Sequence, residues 1–270
     1  MLVVVALCAA VPRLLVPADP NDQNLRARFT PPAGRALSGG FAALGTDQLG
    51  RDILSRVVFG ARTSVLIGLS AVLLAGLVGV TLGLIAGMRG GLADQVIMRL
   101  ADMQFAFPFI LLAITVIGVL GQSIRNIVLV VGLSNWMAYA RVVRAETLAV
   151  REKAYVEAAQ AIGLSPFRIV RRHILPNVSA SLTVVATFGV AAAILAEAGL
   201  SFLGLGVPLD TPSWGSMLAE GRQFVDTRYW LALFPGLALF VTVLAINLVG
   251  DALRDALDPY LQTRKAVEAL

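Results

Sequence analysis

Residues 63–87 read TSVLIGLSAVLLAGLVGVTLGLIAG, an unbroken run of 25 residues without a charge. At about 1.5 Å per residue in a helix, such a run is long enough to cross the roughly 30 Å hydrocarbon core of a bilayer. The whole chain has the same bias, since 57% of its 270 residues are apolar, 14% are charged and its mean hydropathy is +0.80. Globular domains average about 25% charged residues. The composition therefore predicts a membrane protein and excludes a large soluble catalytic domain.

Five other apolar stretches lie on either side of this run, and each is a candidate membrane helix. Together with the run they predict an all-α polytopic membrane protein of about six transmembrane helices. The stretch at 126–140 is short for a span, so we expect its flanking arginines to extend toward the lipid headgroups. The six candidates are residues 1–16, 63–87, 105–124, 126–140, 178–209 and 229–250.

The polar segments between these stretches set the expected domain organisation. Residues 17–62 are expected to form an extracytoplasmic loop, and residues 63–250 the transmembrane core, which includes a cytoplasmic loop at 146–176. The densest group of basic residues lies in that loop, and basic loops tend to remain in the cytoplasm. With six spans, both termini and the tail at 251–270 then also lie in the cytoplasm.

Chemically reactive side chains are few, and this excludes most enzyme classes. The chain has one cysteine, Cys8, and one histidine, His173, which excludes a disulfide framework, a thiolate metal cluster and nearly every histidine-based site. A P-loop requires a Gly-Lys-Ser/Thr sequence, but both lysines, Lys153 and Lys265, follow a charged residue. An intramembrane serine protease would need a Gly-x-Ser-Gly sequence, which is absent. The sequence therefore predicts no catalytic residue, no metal site and no nucleic-acid binding.

The loop at 146–176 has the pattern of two short helices joined by a corner. The first helix is expected to begin near Arg151 and to end at Gly163, because glycine readily adopts the left-handed conformation that ends helices. Ala158 and Ala159 on this helix would let the backbone of another protein approach closely. We interpret the loop as a docking element, the alternative being a simple connection between two spans.

The second helix of this loop is expected to start at Ser165, as N-cap, with Pro166 in the first helical position. It is expected to run to about His173 and to stop before Pro176. Arg168 adds positive charge around the corner. We interpret His173 as a packing or hydrogen-bonding residue of the loop in preference to a proton switch.

This loop resembles the EAA loop of permease subunits in binding-protein-dependent ABC importers, through the sequence EAA at 157–159, Gly163 and Leu175–Pro176. The sequence HILPN at 173–177 resembles the peptide and nickel branch of that family. Further segments that resemble the branch are GTDQLGRD at 45–52, AFP at 106–108, ILAEAGLSFLGLG at 194–206, PSWG at 212–215 and GDALRD at 250–255.

The resemblance implies the fold of a type I ABC importer permease, with a cytoplasmic coupling loop, in the bacterial cytoplasmic membrane. It implies a homologous second permease in a heterodimer, two ATP-binding subunits or one fused ATPase, and an extracytoplasmic peptide-binding protein, besides the lipid bilayer. ATP and Mg would be held by the ATPase subunits, and this chain would bind no cofactor.

The run around Glu197 resembles the C-type subunit of dipeptide and oligopeptide importers, which implies short peptides as cargo. Nickel, glutathione or another small solute are the alternatives.

The family pattern also bears on two parts of the chain. The first stretch is short compared with that pattern, which suggests a late start codon or a truncated leading helix. In the loop, the resemblance implies that ATP-driven closure of the ATPase moves a defined set of contact residues. They are Glu157, Ala158, Ala159, Gly163, Ser165, Pro166, Arg168, Leu175 and Pro176.

Two acids in or beside apolar stretches, Asp102 and Glu197, are candidates for polar or gating roles, because ionisable groups inside a membrane are costly. The alternatives are an ion pair of Asp102 with Arg99, one turn away, and a packing role for Glu197 near its helix end or against an arginine. If the two acids formed an ion relay, the chain would be an autonomous secondary transporter or channel. That class leaves the docking loop unexplained.

Two features of the polar segments also have two interpretations each. Trp214 either marks the outer membrane interface, as aromatic belts do, or contacts the binding protein. Residues 45–56 form either an amphipathic surface helix or a segment whose repeated Asp and Arg residues pair with one another.

Overall fold

The computed structural model describes residues 1–16, 18–35, 41–208 and 210–257. Within these ranges the chain is mainly helical, with one short antiparallel strand pair in which Gly34 faces Ala42. The elements are α1 (Leu2–Ala10), α2 (Pro12–Leu15), a 3₁₀ turn (Leu25–Ala27), β1 (Gly34–Arg35), β2 (Phe41–Ala42), α3 (Ile53–Arg89), α4 (Gly91–Phe105), α5 (Phe109–Leu120), α6 (Ile124–Arg151), α7 (Ala154–Ala161), α8 (Pro166–Ile169), a π-helical segment (Val170–Ile174), α9 (Leu175–Phe202), α10 (Trp214–Gly221), a 3₁₀ turn (Arg222–Phe224) and α11 (Trp230–Leu257).

Four of the described helices are long and apolar enough to cross a membrane, namely α3, α6, α11 and the continuous helix Pro166–Phe202. Helices α4 and α5 provide a fifth crossing if the pair, bent by 88°, counts as one span. The sixth expected span, residues 1–16, consists of α1 and α2, neither of which is long enough by itself. The break falls at Val11 because the residue before a proline disfavours the helical region, and Val11 has φ −132° and ψ 54°.

Helices α3 and α6 both extend beyond the uncharged runs that predicted them. Helix α3 begins at Ile53, upstream of the run at 63–87. The stretch at 126–140 belongs to a helix of 28 residues, so the expectation of a short span is wrong. Helix α6 continues into the polar residues because Arg141 and Arg144 form ion pairs with acids of α4.

The helix that begins at Pro166 does not stop before Pro176, and that expectation is also wrong. It passes through the π-helical segment into α9, and the Leu175 amide donates to the carbonyl of Val170, five residues back. A proline lacks an amide hydrogen, and its ring crowds the carbonyl four residues earlier in an α-helix. The wider π-helical turn next to Pro176 accommodates both effects.

The described residues divide into two compact units. The first comprises residues 1–70, 110–131 and 190–246, and contains two apolar clusters around Trp214 and Trp230. The second comprises residues 71–109, 132–189 and, among those described, 247–257. Of the expected tail at 251–270, residues 251–257 continue α11, and residues 258–270 lie outside the described part of the chain.

In the second unit, α3 and α6 pack at very close range. A Cβ atom at Gly83 would lie 2.6 Å from the carbonyl oxygen of Ala140, and one at Gly87 would lie 2.6 Å from Cβ of Thr147. Gly79, one turn earlier, has no room for a Cβ beside Trp136. Small residues at intervals of four allow helices to approach closely where a membrane offers little hydrophobic drive for association. This glycine stripe fixes the end of α6, from which the docking loop departs.

Candidate functional site

The docking loop at 146–176 turns at Gly163 as expected. Gly163 has φ +79°, in the left-handed region. Its amide donates to the carbonyl of Gln160 at 2.9 Å, and the amide of Leu164 donates to that of Ala159 at 3.1 Å. These two bonds form the Schellman motif that ends a helix. The corner between α7 and α8 is therefore fixed by backbone hydrogen bonds.

Ser165 and Pro166 occupy the N-cap and first helical positions of α8. The Ser165 hydroxyl makes no capping hydrogen bond within the described chain, which differs from the expected cap. The start of α8 is instead set by Pro166, whose fixed φ suits the first turn of a helix. Ser165 and Pro166 are both exposed at the corner.

The two alanines of the EAA sequence face opposite ways. Ala159 is only 6% exposed and points toward the interior, as does Val156, whereas Glu157 and Ala158 are exposed. Of the other expected contact residues, Arg168 and Pro176 are exposed and Leu175 is half-buried. The sequence could not separate Ala158 from Ala159, because the buried face of α7 depends on which elements cover it.

Two large apolar side chains beside the corner were missed by sequence reasoning. Ile162 is 78% exposed and Phe167 is 75% exposed, one on each side of Gly163. Only the structure shows that both are exposed, and an exposed apolar pair rimmed by charged residues is a common mark of a protein-binding site. Glu157 and Arg168 supply that rim. We define the docking surface as Glu157, Ala158, Ile162, Phe167 and Arg168.

The interior of the docking loop is held by an apolar core and by polar contacts. The core contains Val143, Val150, Val156, Ile169, Ile174 and Val178. The rings of Tyr155 and His173 lie with their centroids 5.8 Å apart, and the Asn177 side-chain amide donates to the His173 carbonyl at 2.7 Å. His173 thus has the packing environment that we expected for it.

The helices that carry the docking loop are joined by arginines. Arg144 donates through two nitrogens to the carboxylate of Asp94, in the fork geometry that gives strong ion pairs. Arg151 donates to the carbonyls of Gly87 and Met88, at 3.1 and 3.2 Å, and so caps the end of α3. The loop therefore starts from a rigid junction of α3, α4 and α6 within the second unit.

Asp102 forms an ion pair, but its partner is Arg141 of α6, at 2.7 Å, and not the expected Arg99. Both side chains are substantially exposed, and exposed pairs contribute little to stability. Arg141 also lies over the ring of Phe105 at 5.4 Å. This geometry favours the interpretation of Asp102 as an anchor of α4 on α6.

Glu197 is fully buried in the first unit, at 0% exposure. Its two carboxyl oxygens accept hydrogen bonds from Ser201, at 2.7 Å, and from Ser64, at 3.2 Å. The arginine considered as its partner is absent from its contacts in the described part of the chain. Because the hydroxyls satisfy both oxygens and join α3 to α9, the geometry favours a packing role for Glu197.

Trp214 is 2% exposed and its indole nitrogen donates to the carbonyl of Val57 at 3.0 Å. Neither expected role, a belt residue or a contact of the binding protein, fits a side chain in this position. The burial follows from α10, which starts with a capping box between Ser213 and Ser216 and packs Trp214 into the apolar cluster of the first unit.

Asp and Arg residues of 45–56 pair with one another, as the second of the two interpretations of this segment expected. Arg56 donates to Asp47 at 2.7 Å and to Glu220 at 2.8 Å, and Arg51 donates to the same two acids. Burial by itself raises the pKa of Glu220, but the hydrogen bond and charge of Arg56, with the charge of Arg51, hold it below its ordinary value. Glu220, which lies on α10, was missed because its partners are far away in the sequence.

The fold and the site thus define a membrane protein of several helical spans in which two short helices, α7 and α8, present an exposed apolar pair beside a glycine corner. Residues 79–263 match the family of binding-protein-dependent transport system inner membrane components, and the chain belongs to that family.

Two relatives illustrate this membership, and one solved structure shows the same fold. The di/tripeptide transport system permease protein DppC of Pseudomonas aeruginosa is 43% identical over 263 residues, which cover 97% of this chain and 86% of the relative. The glutathione transport system permease protein GsiD of Escherichia coli is 48% identical over 218 residues, or 81% of this chain and 72% of the relative. An inward-facing structure of the MetNI methionine ABC transporter matches with a TM-score of 0.60 at 19% identity, over 76% of this chain and 98% of that chain. The chain has the fold of a type I ABC importer permease, as the sequence predicted.

Proposed function

We propose that this chain is the transmembrane permease subunit of an ATP-driven importer of short peptides, and that partner subunits hydrolyse the ATP. The observation that carries the proposal is the 43% identity to a di/tripeptide permease along 97% of the chain. The relative named for glutathione supports the same cargo class, because glutathione is itself a tripeptide. The nickel alternative has no comparable support.

The partners that we propose are a homologous second permease, two ATP-binding subunits or one fused ATPase, and an extracytoplasmic peptide-binding protein. ATP and Mg belong to the ATPase, since this chain has no Gly-Lys-Ser/Thr sequence. The docking surface supports an ATPase contact, because it combines the exposed apolar pair Ile162 and Phe167 with the small Ala158. A peptide-binding protein is consistent with membership of a binding-protein-dependent family.

The second unit has the construction that a transmitting element needs. A displacement of the docking surface reaches Val156 and Ile174 in its core, and through Arg151 it reaches the end of α3. Packed cores and charge-assisted bonds resist gradual deformation, so such an element moves as a rigid body. ATP-driven closure of the ATPase would therefore move the ends of α3 and α6 together.

A secondary transporter or channel is the less favoured class. Asp102 is paired with Arg141, and Glu197 is satisfied by serine hydroxyls. Both acids thus hold neighbouring helices together, a structural role that needs no ion relay.

Deletion of the gene for this chain tests the cargo. Uptake of radiolabelled dialanine is expected to fall to background and to return when the chain is supplied from a plasmid, because no permeation path exists without the permease. Uptake of radiolabelled nickel is the control and is expected to remain unchanged. Loss of nickel uptake with normal dialanine uptake would contradict the peptide proposal.

Cysteine labelling tests the proposed sidedness, with both termini and the docking loop in the cytoplasm. In a Cys8→Ser background, Ser165→Cys is expected to resist a membrane-impermeant maleimide in intact cells and to react after lysis. Thr227→Cys is expected to react in intact cells, because Thr227 is exposed in a segment that the sequence places outside. Ser213 is unsuitable for this purpose because it is fully buried. Equal labelling of both cysteines in intact cells would overturn the orientation.

Gly163→Val is expected to disturb the corner of the docking loop. Nothing lies within 4 Å of a Cβ at this position, so the cost comes from φ +79° alone, at about 1–3 kcal/mol. Dipeptide uptake should fall severely while the amount of permease in the membrane stays normal. Gly163→Asn is the matched control, because asparagine tolerates the left-handed region. Equal uptake by both variants would show that the corner conformation is unimportant.

A further inference from the structure

The first unit contains a polar cavity of about 450 Å³ that none of the above roles uses. It lies between α2, the segment after it, α3 and residues 210–212. Four charged side chains line it, the arginines Arg13 and Arg62 and the acids Asp19 and Asp210. Its volume falls in the range of small-molecule sites, about 300–1,000 Å³. Two positive and two negative groups give it no net charge, which suits a ligand that carries both signs.

The two arginines have side chains that no described residue binds. Neither Arg13 nor Arg62 makes a side-chain hydrogen bond or an ion pair within the described part of the chain. A guanidinium group has five N–H donors in a planar fork that matches carboxylate and phosphate. Two such groups around one cavity provide binding capacity for an oxyanion that the described residues do not fill.

The acidic wall of the cavity is held in place. The side-chain amide of Asn21 donates to the carbonyl of Asp210 at 2.7 Å, which joins the two segments. The backbone amide of Asn21 donates to Oδ1 of Asp19 at 2.9 Å, which leaves Oδ2 for a ligand. The fold therefore orients the Asp19 carboxylate and the backbone of Asp210, whose Oδ1 accepts a hydrogen bond from the Thr211 hydroxyl at 3.3 Å. Both carboxylates can accept hydrogen bonds from an ammonium group.

The surroundings of the cavity indicate a lipid source for the ligand. Arg13 follows twelve uncharged residues, and Arg62 precedes the uncharged run at 63–87. Leu14, next to Arg13, is 83% exposed, and Val16 and Phe59 are apolar members of the lining. Arginines at the ends of apolar segments lie at the depth of lipid headgroups. A phospholipid whose phosphate is bound there would have its acyl chains next to exposed apolar side chains.

We propose that this cavity binds the headgroup of a phospholipid with a primary amine, of the phosphatidylethanolamine type. Arg13 and Arg62 bind the phosphate, and Asp19 and Asp210 accept hydrogen bonds from the ammonium group. The acyl chains lie along α1 and α2, whose exposed residues other than Arg13 are apolar. The bound lipid fastens these two short helices to α3.

Native mass spectrometry of the chain, purified with its partner subunits, tests this site. The delipidated complex is mixed with one of three dioleoyl lipids, namely phosphatidylethanolamine, phosphatidylglycerol or phosphatidylcholine. The bound lipid is identified from the increase in mass of the complex. Phosphatidylethanolamine is expected to bind best, because choline has no N–H donor and glycerol has no positive charge. Arg13→Ala and Arg62→Ala are each expected to lower its retention about tenfold, through loss of a charge-assisted hydrogen bond. Asp19→Asn and Asp210→Asn are expected to reduce the preference over phosphatidylcholine.

Arg26→Ala is the matched control, since Arg26 is an exposed arginine of the same segment away from the cavity. If an Arg→Ala variant fails to assemble, Arg62→Lys keeps the charge without the fork and is expected to give intermediate retention. Equal binding of the three lipids, or retention unaffected by the arginine variants, would overturn the proposal. Displacement of the lipid by O-phosphoethanolamine or dialanine at equal concentration would assign the cavity to a soluble zwitterion and overturn it too. The readout is lipid mass, so it does not depend on the cargo of the transporter.

Discussion

Ala158→Arg is expected to abolish dipeptide uptake and to release the ATPase during purification. Ala158 is exposed on α7 between the apolar residues of the docking surface and their charged rim. An arginine there inserts a large cation into a contact between closely packed backbones, and overpacking of this kind costs about 2 kcal/mol or more, roughly thirtyfold in affinity. Uptake of labelled dipeptide, recovery of the ATPase with the tagged permease, and thermal unfolding of the permease are the three measurements.

Two matched variants make this result specific to docking. Ala158→Ser keeps the side chain small and is expected to preserve uptake. Ala159→Arg is expected to lower the thermal stability and the amount of the permease itself, because Ala159 points into the interior of the loop. Normal uptake by Ala158→Arg at normal protein level would show that α7 is not the contact with the ATPase.

Arg56→Met is expected to destabilise the first unit by about 3–5 kcal/mol, the usual cost of removing one partner from a buried ion pair. Arg56 is 2% exposed, and its loss would leave Asp47 and Glu220 with Arg51 as their remaining cationic partner. Thermal unfolding of the detergent-solubilised complex measures the effect. Arg26→Met, at an exposed position, is the control and is expected to change stability by less than about 0.5 kcal/mol.

A double-mutant cycle separates the charge effect from lost packing. Glu220→Gln removes one of the two carboxylates that share Arg51 once Arg56 is lost, so the double variant should lose less stability than the two single variants would together. Strict additivity would show that Arg56 contributes only through its apolar stem. If the Arg56→Met variant proved as stable as the Arg26→Met variant, the ion pairs would not be what holds α3 to α10.

The sequence determined those features that depend on neighbouring residues. Uncharged runs of about 20 residues predicted the membrane helices. Each apolar side chain that is exposed to water costs free energy, and over a run of this length the sum favours insertion into the bilayer as a helix. Gly163 predicted the corner of the docking loop, because few other residues adopt φ +79° without strain. The absence of a Gly-Lys-Ser/Thr sequence predicts that partner subunits bind the ATP, and this stays a prediction.

The tertiary structure decided the features that depend on contacts between distant segments. Ala158 and Ala159 are identical in chemistry, and the core around Val156 alone determines which of them is exposed. Asp102 pairs with Arg141, 39 residues away, in preference to its neighbour on the same helix. Pro176 was expected to end a helix, but the π-helical turn beside it provides room for the ring. Local patterns specify where helices form, whereas the partner of each side chain depends on how the helices pack, and pairwise packing has no signature in a single sequence.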